Sequence, residues 1–519
     1  MRDVPKAPPD PTAEQRMADA AAYRRAMADE LAGLHQGWTE IPAGELRPAE
    51  REGRTLTAMQ HGEPFIWAPL LPRDESGRRR GGIDLLVRTA TGYAPVLVVR
   101  HKVCDPGSGA VTSPLSLPWP SAGEVDDTRK VRPQPRDQLR LAHAWRLLQA
   151  CGQADRTASV AGVIGLDGEV VVWHDLLATT WPGGRSTLDE YDARFADRLA
   201  VAAAAGSGAP ALASPSRIVE CRSCPWWPTC HDELLDRRDV SLVVRGEDAA
   251  LLRDAGVRTV DALAELDPDE PPPAQIVAQP LIDAVGLARA WLADLTVVRR
   301  VPRVTVPRAE VEVDVDMESF GDAGAYLWGA QLSGVDIGIP AGYRSFVTWD
   351  PLPTDDEARS FAEFWEWLTE VRAVARARGL TFRAYCYNEL AENRWMFASA
   401  ARFAGRPGIP TRDQVRRFVE SDEWFDLFAS VREYFLCSHG KGLKTIAPVA
   451  GFAWRDPEAG GENSMRWYRI AVGMDGGEPD QSQRRRLLEY NEDDVLATMT
   501  LRGWMSSDDV HRIPYVGDL

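Results

Sequence analysis

VEVDVDMESF, Val311 to Phe320, places an acidic residue at every second position of a strand-like run. Side chains alternate on a strand, so Val311, Val313, Val315 and Met317 share one face. Glu312, Asp314, Asp316 and Glu318 share the other. From Glu310 to Asp322 there are six acids and no lysine or arginine. The apolar face predicts a strand laid on a core. The acidic face has two readings, exposed polar surface or a place where a cation is held, because neighbouring carboxylates repel unless something neutralises them. A lone D-x-E does not choose between them.

Two later stretches bear on the choice. AYCYNELAENRWMF, from Ala384, reads as a strand ending at Tyr387 and a helix opening with Asn388 as N-cap. That spacing puts Glu392 in the first helical turn, near the end of the sheet, with Glu389 as its weaker alternative. RRRLLEYNEDDVLATMTLRGWM, from Arg484, reads as a helix on which Tyr490 and Asp494 share a face at i, i+4. Asp493 then points about 100° away and is assigned to solvent. EARSFAEFWEWLTEVRAVARARG reads as a further helix, and the runs at TFRAYCY and MRWYRIAV as further strands. This alternation implies an α/β domain of roughly 210 residues from about Val304 onward.

The ordered set D-x-E, Asn-x3-Glu and Tyr-x3-Asp resembles the DEDD exonucleases of the tyrosine subtype, which have an RNase H-like fold. KGLKTIAPVAGFAW, from Lys441, resembles the RNase H-like domain at the C-terminus of a RecB-like nuclease family. The resemblance implies that Asp316, Glu318, Glu392 and Asp494 bind two Mg2+ or Mn2+ ions and that Tyr490 orients the attacking water. For Tyr490 the alternative is a buried helix tyrosine. Glu392 departs from the wider pattern, which has aspartate there. Asn388, Lys441 and Lys444 become candidate substrate contacts, and Glu312 and Asp314 are demoted to outer or solvent charges. The implied activity is 3′–5′ exonuclease action on single-stranded DNA or RNA, in DNA repair or nucleic-acid processing.

In the N-terminal half, GGIDLLVR and APVLVVRHK are β-rich runs separated by the turn TATGY. They resemble a RecB-type (PD-(D/E)xK) nuclease core, with Asp84 and Lys102 at matching places. Arg100 stands where an acidic ligand belongs, and a guanidinium repels Mg2+. Gln138 fits a Q-x3-Y motif whose tyrosine is replaced by Ala142. This lobe is therefore expected to be a degenerate nuclease that keeps a nucleic-acid groove, with His101 as a hydrogen-bonded structural residue. The Gly/Ser/Pro-rich stretch from Asp105 is expected to be loop; RDQLRLAHAWRLLQA is expected to be helix, and SVAGVIGL and EVVVWHDL strands. CRSCPWWPTC gives Cys221, Cys224 and Cys230 at C-x2-C-x5-C spacing, followed by His231. The spacing resembles three of the four ligands of a [4Fe–4S] staple in RecB-like nucleases. Iron–sulfur, zinc and metal-free thiols all stay open. Cys104, Cys151 or a non-cysteine ligand is the candidate fourth ligand.

Length and composition set the frame. A chain of 519 residues suggests roughly three domains. The 44% hydrophobic content excludes wholesale disorder, and seven cysteines in such a chain make no disulfide framework. A net charge of −17 excludes a surface coated in basic residues, though not a local basic channel such as Arg129 to Arg146. No apolar run is long enough to span a bilayer and no signal peptide is evident, so a cytoplasmic protein without membrane partners is expected. The expected organisation is an N-terminal tail and helix (1–30), a degenerate RecB-like lobe with the cysteine cluster (31–235), a helical linker module resembling a helix–hairpin–helix (236–303), and an RNase H-like exonuclease domain (304–519). Two rival readings are a non-catalytic binding or scaffold protein with both lobes silent, and an endonuclease acting through the N-terminal lobe.

Overall fold

The alternating stretch forms strand β1 (Val311–Ser319) at the centre of a five-stranded sheet. The other strands are β2 (Ala325–Gly334), β3 (Gly342–Val347), β4 (Phe382–Cys386) and β5 (Trp424–Asp426), in the order β3-β2-β1-β4-β5. β1 pairs antiparallel with β2 and parallel with β4. β2–β3 is antiparallel and β4–β5 parallel. The helices are α1 (Glu357–Ala377), α2 (Leu390–Arg402), α3 (Arg412–Val419), α4 (Leu427–Tyr434), α5 (Gly461–Ala471) and α6 (Gln481–Met505). Val311, Val313 and Val315 pack with Phe361, Phe364 and Leu368 of α1 in one core. The acidic face of β1 meets α6, so the period-2 pattern separates a hydrophobic layer from a polar one.

The structure, a computed structural model, describes residues 4–8, 11–44, 46–166, 168–271, 274–474 and 476–519. The chain is a mixed α/β, multidomain structure that divides into two compact units, Pro9–Ser214 and Pro215–Leu519, the latter joined by the residues up to Pro8. In the first unit an eight-stranded mixed sheet contains Leu85–Arg88 and Tyr93–Val98 as an antiparallel pair. Val160–Ile164 lies parallel to Tyr93–Val98, and helix Pro135–Ala150 lies between them in sequence. One face of the sheet packs on that helix through Leu141, Trp145 and Leu148; the other receives Met27, Ala28 and Leu31 of helix Pro11–Leu34.

Two local expectations are corrected. Ala110–Pro114, expected as loop, is a strand paired antiparallel with Val170–Trp173. MRWYRIAV, expected as a strand, lies in α5 and its C-terminal end. Ser464, Trp467, Tyr468 and Ala471 are buried, a helical spacing that presents one face to the core.

In the second unit, helices Glu247–Asp254, Val260–Ala264 and Leu281–Leu292 share a core. Thr259 caps the second helix by accepting from Ala262 N at 3.1 Å. Strand Val297–Arg299 pairs with Phe435–Cys437, tying this module to the sheet domain. Among the described residues, no helix is long and apolar enough to cross a membrane.

Candidate active site

The two ends of β1 are built differently. Glu312 and Asp314, assigned above to outer or solvent positions, are buried instead. Arg502 of α6 donates from Nε and Nη2 to Asp314 at 3.0 and 2.7 Å and from Nη1 to Glu312. Arg308 forks onto Glu312 with two bonds of 2.7 Å. Burial pushes Glu312 up, but these arginines, the Ala309 N–H and the Tyr385 hydroxyl hold its carboxyl down at about 2. Burial raises Asp314, with Arg502 opposing.

Asp316 and Glu318 have no arginine partner among the described residues. Their carboxylate oxygens and that of Asp494 lie within 4.8 Å of one another, the one grouping among the described residues able to hold a metal ion. Each is held through one oxygen by a neutral donor. Asn491 Nδ2 donates to Asp316 Oδ2 at 2.8 Å, Ser464 Oγ to Glu318 Oε2 at 2.9 Å, and Trp454 Nε1 to Asp494 Oδ1 at 2.6 Å. Asn491 is in turn fixed by Tyr343 Oη, which donates to its Oδ1 at 2.7 Å. Gly329 stands opposite Asp316 on β2, and a Cβ there would meet Asn491 Oδ1 at 1.7 Å.

Burial and mutual repulsion shape the protonation of this cluster. Asp316 is raised well above the ordinary carboxylate range by burial, then by Asp494, Glu318 and Glu392. Glu318 is pushed up to about 8 by burial and Asp494. Burial also raises Asp494, with Lys444 opposing from 3.7 Å. Metal-free, these acids hold protons to higher pH than free side chains do, the state expected of hard oxygen donors that await a cation.

Glu392 lies outside the tight group but within its field. It is buried near the start of α2, its Oε2 has no hydrogen-bond partner, and burial with Asp426, Glu318 and Glu389 pushes it up to about 8. An orphaned buried carboxylate oxygen beside three gathered acids fits a divalent ion. Asn388 is not the N-cap of α2. Glu389 holds that position, while Asn388 adopts a left-handed conformation (φ 73°) and its N–H donates to Asp426 Oδ1 at 2.9 Å. Asn tolerates this region better than most residues.

Tyr490 is buried, and its hydroxyl accepts from Lys444 Nζ at 2.8 Å. Burial and the adjacent carboxylates raise its pKa, so it stays a neutral phenol. Lys441 is turned elsewhere, its Nζ donating to the Arg432 carbonyl at 3.2 Å. Asp493, assigned to solvent, is buried under Arg455, which donates from Nε at 2.7 Å and from its backbone N–H at 2.9 Å. Sequence reasoning missed Asn491, Ser464, Trp454 and Asp426. Two carried a signal: Asn491, which follows Tyr490 and precedes Asp494, and Trp454, the last residue of the stretch KGLKTIAPVAGFAW.

In the N-terminal unit Asp84 accepts from Val98 N–H at 2.9 Å and lies 3.9 Å from Arg24; burial raises its pKa. Arg100 pairs with Asp19 at 3.4 Å, and Lys102 is exposed. His101 meets Asp137 at 2.7 Å, and Gln138 lines a small cleft with Asp137 and His174. The cysteines near the unit boundary do not gather as a zinc site requires. With Zn–S bonds of about 2.3 Å, tetrahedral thiolates sit about 3.8 Å apart, and Cys221, Cys224, Cys230 and His231 form no such group. Cys386 and Cys437, in the same unit, are buried among hydrophobic side chains. Cys104 and Cys151 belong to the other unit.

Residues 406–506 match the RNase_H_2 family model, of the RNase_H superfamily. The C-terminal region is thus an RNase H-like domain, which suggests nuclease-type activity on a nucleic-acid substrate with divalent metals. The match contains Lys441, Lys444, Tyr490 and Asp494. Neither the curated proteins nor the solved structures give a match.

Proposed function

We propose that the protein is a metal-dependent 3′–5′ exonuclease of the DEDD type with tyrosine, acting on single-stranded DNA or RNA. The observation that carries this reading is the convergence of Asp316, Glu318 and Asp494 oxygens to within 4.8 Å on an RNase H-like domain. Asp316, Glu318, Asp494 and Glu392 would hold Mg2+ or Mn2+. Metal held by these carboxylates would supply Lewis-acid activation of a water and charge stabilisation at the leaving 3′-oxygen.

The chain's own residues do the rest. Asn491, Ser464 and Trp454 fix the orientation of the three carboxylates, as supporting hydrogen bonds do for metal ligands generally. Lys444 donates to Tyr490 and so sets the direction of its hydroxyl hydrogen. A phenol that stays protonated is no general base; Tyr490 orients the attacking water by hydrogen bonding. Lys444, which also lies 3.7 Å from Asp494 Oδ2, would bring its positive charge to the phosphate being cleaved.

In the same reading the N-terminal unit is a RecB-like lobe that has lost catalysis. Arg100 occupies the acidic ligand's place and is engaged with Asp19. The test is digestion of 3′- and 5′-labelled DNA and RNA single strands with Mg2+ or Mn2+. The wild type should release 5′-mononucleotides from the 3′ end, and Asp494→Ala should not. Intact strands with the wild type, or equal cleavage by Asp494→Ala, would refute the proposal.

A further inference from the structure

A cavity of about 450 Å³ lies inside the C-terminal unit, between the helical module and the sheet domain. Four cations reach it, Arg245 from the module, Arg300 from the connecting segment, and Arg432 and Lys441 from the sheet domain. Its two acids are already committed. Asp248 accepts from Val277 and Ala278 N–H at 2.9 and 2.8 Å, and Asp283 accepts from Arg300 Nε at 2.8 Å. Arg245, Arg432 and Lys441 have no carboxylate partner among the described residues. Gln279 adds a buried side-chain amide nitrogen without an acceptor. Burial, then the nearby Arg222, draws Arg245 below its ordinary pKa; burial, with Arg300 and Arg432, does the same to Lys441 against the opposing Asp283. Unmatched donors and positive charge in a partly enclosed space call for an anion.

The cavity is also close to the carboxylate cluster along the chain. Lys441 lines it, while Lys444, three residues on, touches Tyr490. Three extended residues span at most about 11 Å. Tyr387 Oη donates to the Lys441 carbonyl and pins this segment to the end of β4, next to Asn388. Neighbouring phosphates of one strand can therefore meet both lysines.

We propose that this cavity is a phosphate subsite that grips the backbone of the substrate strand beside the nucleotide being removed. It makes the helical module part of the substrate path. The proposal rests on the nuclease reading for its ligand, a phosphodiester strand, but its test does not need turnover. Phosphate contacts from arginine and lysine position a strand without reading its sequence.

The experiment measures binding of a fluorescent single-stranded oligonucleotide to the full chain in EDTA, by anisotropy, over a series of salt concentrations. Arg245→Gln/Arg432→Gln should weaken binding about tenfold and lower the slope of log affinity against log salt by about 1.4, two phosphate contacts' worth. Arg245→Lys should keep the slope, and melting curves will show that each variant is folded. Equal affinity and slope in the double variant would overturn the subsite, as would a wild type that binds no strand. Inorganic phosphate as competitor separates the sources. If the double substitution abolishes phosphate binding but leaves strand binding intact, the cavity takes a small free anion and the strand assignment is wrong. Hydrolysis of a thymidine 5′-phosphate p-nitrophenyl ester by the wild type judges the nuclease reading separately.

Discussion

Glu312 and Asp314 at one end of β1 and Asp316 and Glu318 at the other come from a single alternating pattern but meet opposite environments. The first pair is buried against Arg502 and Arg308, and its charge is cancelled inside the protein. The second pair, with Asp494 and Glu392, has Lys444 as its one nearby cation among the described residues, on the flank of Asp494. One end of the strand is a finished ion-pair network; the other is an unfinished one. Acids already matched by arginines serve the fold, while acids left unmatched are the ones to suspect of binding a cation.

Substitutions should therefore separate the two ends by what they damage. Asp316→Asn should cut strand hydrolysis by about a thousandfold or more, since it removes part of a charge stabilisation of several kcal/mol. Its metal-free melting temperature should hold or rise, because one repelling carboxylate is gone. Arg502→Met should do the reverse and destabilise the fold by about 3–5 kcal/mol in a denaturant titration, by leaving two buried acids unpaired. A loss of stability in Asp316→Asn as large as that in Arg502→Met would erase the distinction.

Gly329→Ala probes the link between sheet and site. Its Cβ would displace Asn491, so activity should fall about 10- to 100-fold, as for other groups that orient metal ligands. Unchanged kinetics would mean that Asn491 does not position Asp316.

The two ends also predict opposite responses to pH in chelator. Glu318 and Glu392, pushed up to about 8, bind protons more tightly folded than unfolded. Their stabilising contribution is present below the ordinary value of 4.5 and is lost as pH rises towards 8. Glu312, held at about 2, contributes stability above 4.5 and loses it as pH falls towards 2. Melting curves of the metal-free protein should thus decline on both sides, and Mn2+ should flatten the alkaline side alone. An alkaline limb indifferent to Mn2+ would count against cation binding.

Much of this arrangement was legible in the sequence. The alternation of β1 named its core face, and the order of D-x-E, Glu392 and Tyr490-x3-Asp494 pointed to the residues that now surround the cluster. What was not legible was which acids are neutralised. Arg502 lies 190 residues from Glu312, and nothing local announces that pairing. Asp493 was misjudged for the same reason, because helical phase says where a side chain points but not that Arg455 covers it. α5 was misread because Trp, Tyr, Ile and Val suggest a strand by type, whereas the buried positions 464, 467, 468 and 471 follow a helical period. The strand Ala110–Pro114 was hidden by its Gly- and Ser-rich surroundings and is fixed by pairing with Val170–Trp173, far along the chain.

We propose that Asp316, Glu318 and Asp494 together hold divalent cations. Mn2+ binding to the full chain, followed by electron paramagnetic resonance, tests it most directly. Wild type should bind Mn2+ saturably at neutral pH, Asp316→Asn should lose that binding, and Asp314→Asn, if folded, should keep it. Undiminished Mn2+ binding by Asp316→Asn would show that the cluster is not the cation site.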